Sequence, residues 1–200
     1  TVRSVGPNLG SFALGTTEPG TYLPTEGPVC DGSETPEGEV DCFDNYVDDF
    51  NGGLNSDPPV YSPIACGESV CGTSGNFVAG GLNSRDTDWY LVTLASETDV
   101  TWTVTAAGWG HAITTVDISV PGGAVVGDFL TSVAGETLSV TNCLPAGDWA
   151  LFASTSGFTG VPCGSEYQGT VTCGPCVLPP TGACCNSDGS CTDDVFESDC

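Results

Sequence analysis

The chain has 200 residues, with 26 Asp and Glu against two basic residues, Arg3 and Arg85, a single His and a formal charge of −24. Such a surface cannot neutralise phosphates, which excludes nucleic acid as a partner, and anionic lipid repels it. No apolar run approaches the roughly 18 residues that span a bilayer, so no membrane insertion is expected, and the natural electrostatic partner is a cation.

The even number of cysteines, 12, predicts disulfides throughout: Cys30, Cys42, Cys66, Cys71, Cys143, Cys163, Cys173, Cys176, Cys184, Cys185, Cys191 and Cys200. Disulfides imply an oxidising compartment, hence a secreted, extracellular or cell-surface protein. The start at Thr1, without a charged-then-apolar leader, is what removal of a signal peptide would leave.

In chain order, residues 1–29 are rich in Gly, Pro, Thr and Ser and read as an extended arm, whose apolar alternation is Phe12 and Leu14. Residues 30–72 form a Cys- and Asp-rich segment expected to pack on the domain that follows. One short helix is predicted there, capped by Thr35, with Pro36 in its first turn, Val40, Phe43, Val47 and Phe50 at helical spacing, and Gly52 at its end. Residues 73–173 change to short alternating strands between Gly, Pro, Asn and Asp. In the clearest, 99–106, Val100, Trp102 and Val104 face one way and Thr101, Thr103 and Thr105 the other. Further strands are expected at 89–95, 112–120, 124–130, 136–141, 148–153 and 167–173, around Trp89, Trp102, Trp149 and Phe152 as core anchors. This spacing predicts an all-β fold, an antiparallel β-sandwich (jelly-roll-like) with disulfide-rich N- and C-terminal extensions. The tail, 174–200, holds five cysteines and few apolar side chains, so cross-links must give it structure. Within the chain, Cys66 with Cys71 and closures inside 184–200 are the pairings expected from proximity.

Two stretches carry a resemblance. Arg85-Asp86-Thr87-Asp88-Trp89-Tyr90, Leu144-Pro145-Ala146-Gly147-Asp148-Trp149 and Tyr167-Gln168-Gly169-Thr170-Val171 together resemble the bacterial pre-peptidase C-terminal domain over about residues 66–173. That resemblance implies a β-sandwich of the kind appended to secreted hydrolases and surface proteins. The tail, from Thr181-Gly182-Ala183-Cys184-Cys185 to Glu197-Ser198-Asp199-Cys200, is similar to a short Cys-rich repeat of secreted proteins from planctomycete-like environmental bacteria.

Catalytic chemistry finds little support in the residues. Cys173-Gly174-Pro175-Cys176 has the spelling of a thioredoxin site, but Val177-Leu178-Pro179-Pro180 cannot form the helix that lowers the thiol pKa. Structural disulfides are the favoured reading, and a zinc site at Cys173, Cys176, Cys184 and Cys185 has poor ligand spacing. His111 is the single imidazole, with no Gly-x-Ser-x-Gly elbow to serve. Calcium is the credible cofactor: Asp41, Asp44, Asp48, Asp49 and Asn51 in one segment, or Asp86 and Asp88 at a strand start, offer the oxygens it takes. The chain therefore reads as non-enzymatic. The first expectation is a self-assembling subunit of a surface fibre, filament or sheath, a homo-oligomer joined through the N-terminal arm by Phe12 and Leu14. The alternative is an accessory module of a secreted hydrolase that binds polysaccharide, collagen-like protein or cell wall, with Trp109 as the candidate exposed aromatic.

Overall fold

The computed structural model describes residues 29–176, together with the backbone of two strands in the tail, Gly182–Cys185 and Cys191–Val195. The arm residues Phe12 and Leu14 lie outside the described residues. In chain order the strands are β1 (Thr35–Pro36), β2 (Ser62–Pro63), β3 (Ser69–Ser74), β4 (Asn76–Ala79), β5 (Leu82–Arg85), β6 (Thr87–Leu94) and β7 (Thr98–Ala106). They continue with β8 (His111–Asp117), β9 (Ala124–Thr131), β10 (Thr137–Leu144), β11 (Gly147–Thr155), β12 (Ser165–Gly174), β13 (Gly182–Cys185) and β14 (Cys191–Val195). No helix occurs among the described residues.

Two five-stranded sheets make the sandwich, one in the order β1-β3-β12-β7-β10 and the other β2-β6-β11-β8-β9. The long strands pair antiparallel, whereas the two-residue strands β1 and β2 add in parallel to the edges at β3 and β6. β4 and β5 form a separate hairpin, and β13 pairs with β14.

The strand period of two places one face of each sheet in the core. From the first sheet come Val70, Val100, Trp102, Val104, Val140, Tyr167 and Val171; from the second, Tyr90, Val92, Leu94, Ile113 and Leu151. Trp102 is fully buried at the centre, and its Nε1 donates to Phe152 O across the gap at 3.0 Å. Gly169 on β12 is required there, because a Cβ would strike the Trp102 ring. On the opposite, solvent side of the same sheet, Thr101, Thr103 and Thr105 of β7 meet Thr141, Ser139 and Thr137 of β10 in hydroxyl pairs of 2.8 Å.

The expected strands 89–95, 99–106, 112–120, 124–130, 136–141, 148–153 and 167–173 correspond to β6 to β12 with shifts at their ends. Trp89, Trp102 and Phe152 are buried and Trp149 is partly so. β3 draws residues 69–74 into the first sheet, so the sandwich takes in part of the segment assigned to the Cys- and Asp-rich extension.

The helix expected after Thr35 does not form. Thr35 and Pro36 pair with Val70 and Cys71, and the chain beyond runs through turns, with Gly38 at φ 88° and Asn45 at φ 63°. Val40, Phe43, Val47 and Phe50 are exposed, Val47 by 74%, and of the acids between them Asp48 alone turns inward while Asp41, Asp44 and Asp49 stay exposed. Side chains that compete with helical hydrogen bonds decide this: Asp44 Oδ1 accepts from Val78 N and Asn45 Oδ1 from Gly80 N, fastening the segment to the β4–β5 hairpin.

Four disulfides hold the described residues: Cys30–Cys71, Cys42–Cys163, Cys66–Cys173 and Cys143–Cys176. The expected pair of Cys66 with Cys71 is therefore corrected. β3 and β12 are antiparallel neighbours, which brings Cys66 beside Cys173, and β1 brings Cys30 to Cys71. Closures among Cys184, Cys185, Cys191 and Cys200 lie outside the residues whose side chains are described.

Candidate metal centre

Asp86 and Asp88 flank Thr87 where β5 gives way to β6. Two residues apart on extended chain, they lie on one side of it, the side of Tyr90 and Val92, and so face into the protein. Across from them runs Glu37-Gly38-Glu39, which repeats the same spacing just after β1. Asp48 approaches from the turn before Asn51. One carboxylate oxygen from each of Glu37, Glu39 and Asp88 lies within 4.8 Å of the others, and so does one from each of Glu39, Asp48 and Asp86. Five acids from three separate pieces of chain thus meet in one corner of the sandwich.

The corner is closed. Asp86 and Asp88 are buried, and Glu37, Glu39 and Asp48 are half-buried. Glu37 is fully engaged: its Oε1 accepts from Asn51 Nδ2 at 2.6 Å and from Tyr90 OH at 2.8 Å, and its Oε2 from Thr73 N at 2.9 Å. Glu39 Oε1 accepts from Tyr46 OH, and Asp48 Oδ2 from Thr87 Oγ1 at 3.4 Å. Against these stand Glu39 Oε2, Asp48 Oδ1, Asp86 Oδ1 and both carboxylate oxygens of Asp88, buried and without any hydrogen-bond partner; Asn51 Oδ1 is in the same condition.

Burial is the leading cause of the resulting pKa shifts, with mutual repulsion behind it. Asp48 is pushed up to about 6, Glu39 to about 7 and Asp86 to about 8, and Asp88 is raised well above the carboxylate range. The phenols of Tyr90 and Tyr167, bonded to each other at 2.6 Å, are raised as well by the same burial and by Glu37 and Asp88. Left to itself, the cluster must take up protons. A cation among the unpartnered oxygens would replace the repulsion with attraction and offset the desolvation cost.

The donor set is all oxygen, with no thiolate or imidazole. It suits a hard cation that accepts many ligands, which describes calcium better than zinc. Of the acids singled out from the sequence, Asp48, Asp86 and Asp88 belong to the cluster. Asp41, Asp44 and Asp49 do not: Asp41 accepts from Thr73 Oγ1, Asp44 from Val78 N, and Asp49 is exposed. Glu37 and Glu39, hidden in the supposed helix, complete it.

Other sequence candidates resolve differently. His111 is buried, its Nε2 donating to Val104 O at 3.0 Å and its Nδ1 accepting from Ser132 Oγ at 2.8 Å, so both ring nitrogens are occupied. Trp109 is not an exposed aromatic. It is 2% accessible, packs in the inter-sheet core, and donates from Nε1 to Glu166 O at 3.1 Å. Cys173 and Cys176 bond to Cys66 and Cys143, which makes the Cys-Gly-Pro-Cys run structural.

No family model matches the chain, and no curated protein sequence matches it. Among solved structures, it is similar to the pre-peptidase C-terminal domain of collagenase from Bacillus anthracis. The likeness has a TM-score of 0.39 and 15% identity, and covers 56% of this chain and 94% of that one.

Proposed function

We propose that the chain is a non-enzymatic, extracellular β-sandwich module whose fold is completed by a calcium ion, and that it serves as an accessory binding module of a larger secreted protein. The observation that carries the reading is the set of five buried carboxylate oxygens without a partner, on Glu39, Asp48, Asp86 and Asp88. Glu37 would orient the group through Asn51 and Tyr90. An ion held there ties residues 37–39 and 48 to the start of β6. It acts as a conditional staple beside the four permanent ones. The disulfides support an oxidising, extracellular setting.

The test is thermal unfolding of the oxidised protein in chelator and in millimolar calcium. A ligand held by the folded state alone stabilises by about 2.7 kcal/mol at a hundred times its Kd, so the midpoint should rise by several degrees with calcium. Asp86→Asn with Asp88→Asn should abolish the rise. An identical midpoint in both conditions refutes the calcium reading.

A further inference from the structure

The outer face of the second sheet is more than a solvated surface. Trp89 and Phe152, paired across β6 and β11, stand on it with Ala112, Val116 and Ala150, and Leu54, Tyr61 and Ile118 cover part of them. Beside this cover a groove of 440 Å³ remains, walled by Phe129, Phe158, Val116 and Val125 over a floor of Trp89 and Phe152. Phe129 and Phe158 are about half exposed.

Arg85 also lines that groove, and its surroundings are unusual for this chain. In a protein with 26 acidic residues, its guanidinium meets no carboxylate among the described residues. It is half-buried, with its carbon 4.7 Å from the centre of the Phe158 ring and 5.7 Å from that of Phe152. Nη1 donates to Thr155 O at 2.8 Å, its single hydrogen bond among the described residues. A guanidinium carries five N–H donors in a planar fork, so most remain for a ligand. Burial lowers its pKa, as expected of a cation that lacks an anion.

We infer that this groove binds the C-terminal end of a polypeptide whose last residue is apolar, with the terminal carboxylate on Arg85 and the side chain between Phe129 and Phe158. The guanidinium fork suits a carboxylate, and the rings and valines suit an apolar group joined to it. The charge of −24 limits the ligand to little more than that one negative charge. Polyuronates and other polyanions are thereby disfavoured, whereas a chain terminus has a neutral body behind its carboxylate. Asn55, Asn83 and Ser84 line the groove; Asn55 Nδ2 is taken by Thr87 Oγ1 and Ser84 Oγ by Leu82 O, which leaves the Asn55 carbonyl oxygen and the Asn83 amide to meet the preceding peptide units. The inference deepens the binding-module reading by naming its ligand.

The experiment uses the oxidised chain in excess calcium and titrates acetyl-Gly-Ala-Phe as the free acid and as the C-terminal amide, followed by calorimetry and Trp fluorescence. The free acid should bind roughly ten-fold to a hundred-fold more tightly than the amide, because loss of the charge removes a charge-assisted contact. Arg85→Gln should erase that difference. Phe158→Ser, at a half-exposed position, should weaken both probes while leaving the unfolding midpoint within a few degrees. Equal binding of acid and amide overturns the proposal, as does binding that Arg85→Gln leaves unchanged. So does tighter binding of dodecanoate, which would make the ligand a lipid acid, or of a neutral oligosaccharide. If no probe binds while calcium still raises the midpoint, the groove assignment falls and the calcium reading stands.

Discussion

The space between the sheets and the acidic corner beside β6 both exclude water, but they are stabilised by opposite means. Between the sheets, Val100, Trp102, Val104, Leu151 and Tyr167 gain free energy simply by leaving water. In the corner, Glu37, Glu39, Asp48, Asp86 and Asp88 lose it on burial, a cost that the proposed calcium ion would offset. The two regions meet at Tyr90, whose ring packs on Trp102 while its hydroxyl donates to Glu37. On the calcium proposal, one region is indifferent to ions and the other makes the fold answer to them.

Truncation at the apolar centre should have the largest effect. Trp102→Ala should cost about 3–5 kcal/mol in chemical denaturation, equally with calcium and with chelator. Any calcium dependence of that cost would mean that the two regions are not energetically separate. Removing the Cys42–Cys163 bridge, which closes a separation of 121 residues, should cost about 2–5 kcal/mol by the same assay. Because it fastens the segment between Glu39 and Asp48 to the rest of the chain, the loss should also weaken calcium affinity.

Asp88→Asn should behave in the reverse manner to Trp102→Ala. In calcium it should lose about 2–3 kcal/mol, the stabilisation of a bound ion. In chelator it should be no less stable than the parent, since folding no longer has to force a proton onto the buried Asp88 carboxylate.

The pH dependence sharpens the contrast. Folding raises Asp48 to about 6, Glu39 to about 7 and Asp86 to about 8, so between about pH 4 and those values the metal-free folded chain holds protons that the unfolded chain has released. With fewer protons on the unfolded state, stability falls as pH rises. In chelator the midpoint should therefore drop by several degrees from about pH 5 to about pH 8, at about 2–4 °C per kcal/mol. Saturating calcium should remove the drop. The smallest effect belongs to the solvent face: Thr103→Ala, which breaks one hydroxyl pair with Ser139, should change stability by less than about 1 kcal/mol in either condition.

The apolar region was the more legible of the two in the sequence. Val100, Trp102 and Val104 alternate with threonines, and a period of two has one physical reading at that length. β3 escaped because Ser69–Ser74 is a run of small residues, with Val70 as its one large apolar residue. Gly72 is small for a reason visible only in three dimensions, since a Cβ there would strike the Tyr167 ring. The corner was half legible. Asp86-Thr87-Asp88 announced itself at a strand start, but Glu37-Gly38-Glu39 carries the same spacing and was absorbed into a supposed helix by Pro36 and the apolar residues that follow. Those apolar residues are exposed, because the segment follows the hydrogen bonds that Asp44 and Asn45 accept from Val78 N and Gly80 N rather than a helical path. The pairing of Cys66 with Cys173 is set by strand order, which local spacing does not encode.

Calorimetric titration of the metal-free protein with calcium near pH 7, run in two buffers of different ionisation enthalpy, tests the conditional corner most directly. The account predicts one tight site, with release of protons because Glu39 and Asp86 are protonated near that pH in the free state. Asp86→Asn with Asp88→Asn should show neither the site nor the released protons. A titration without heat or proton release, or one that the double substitution leaves intact, would contradict it.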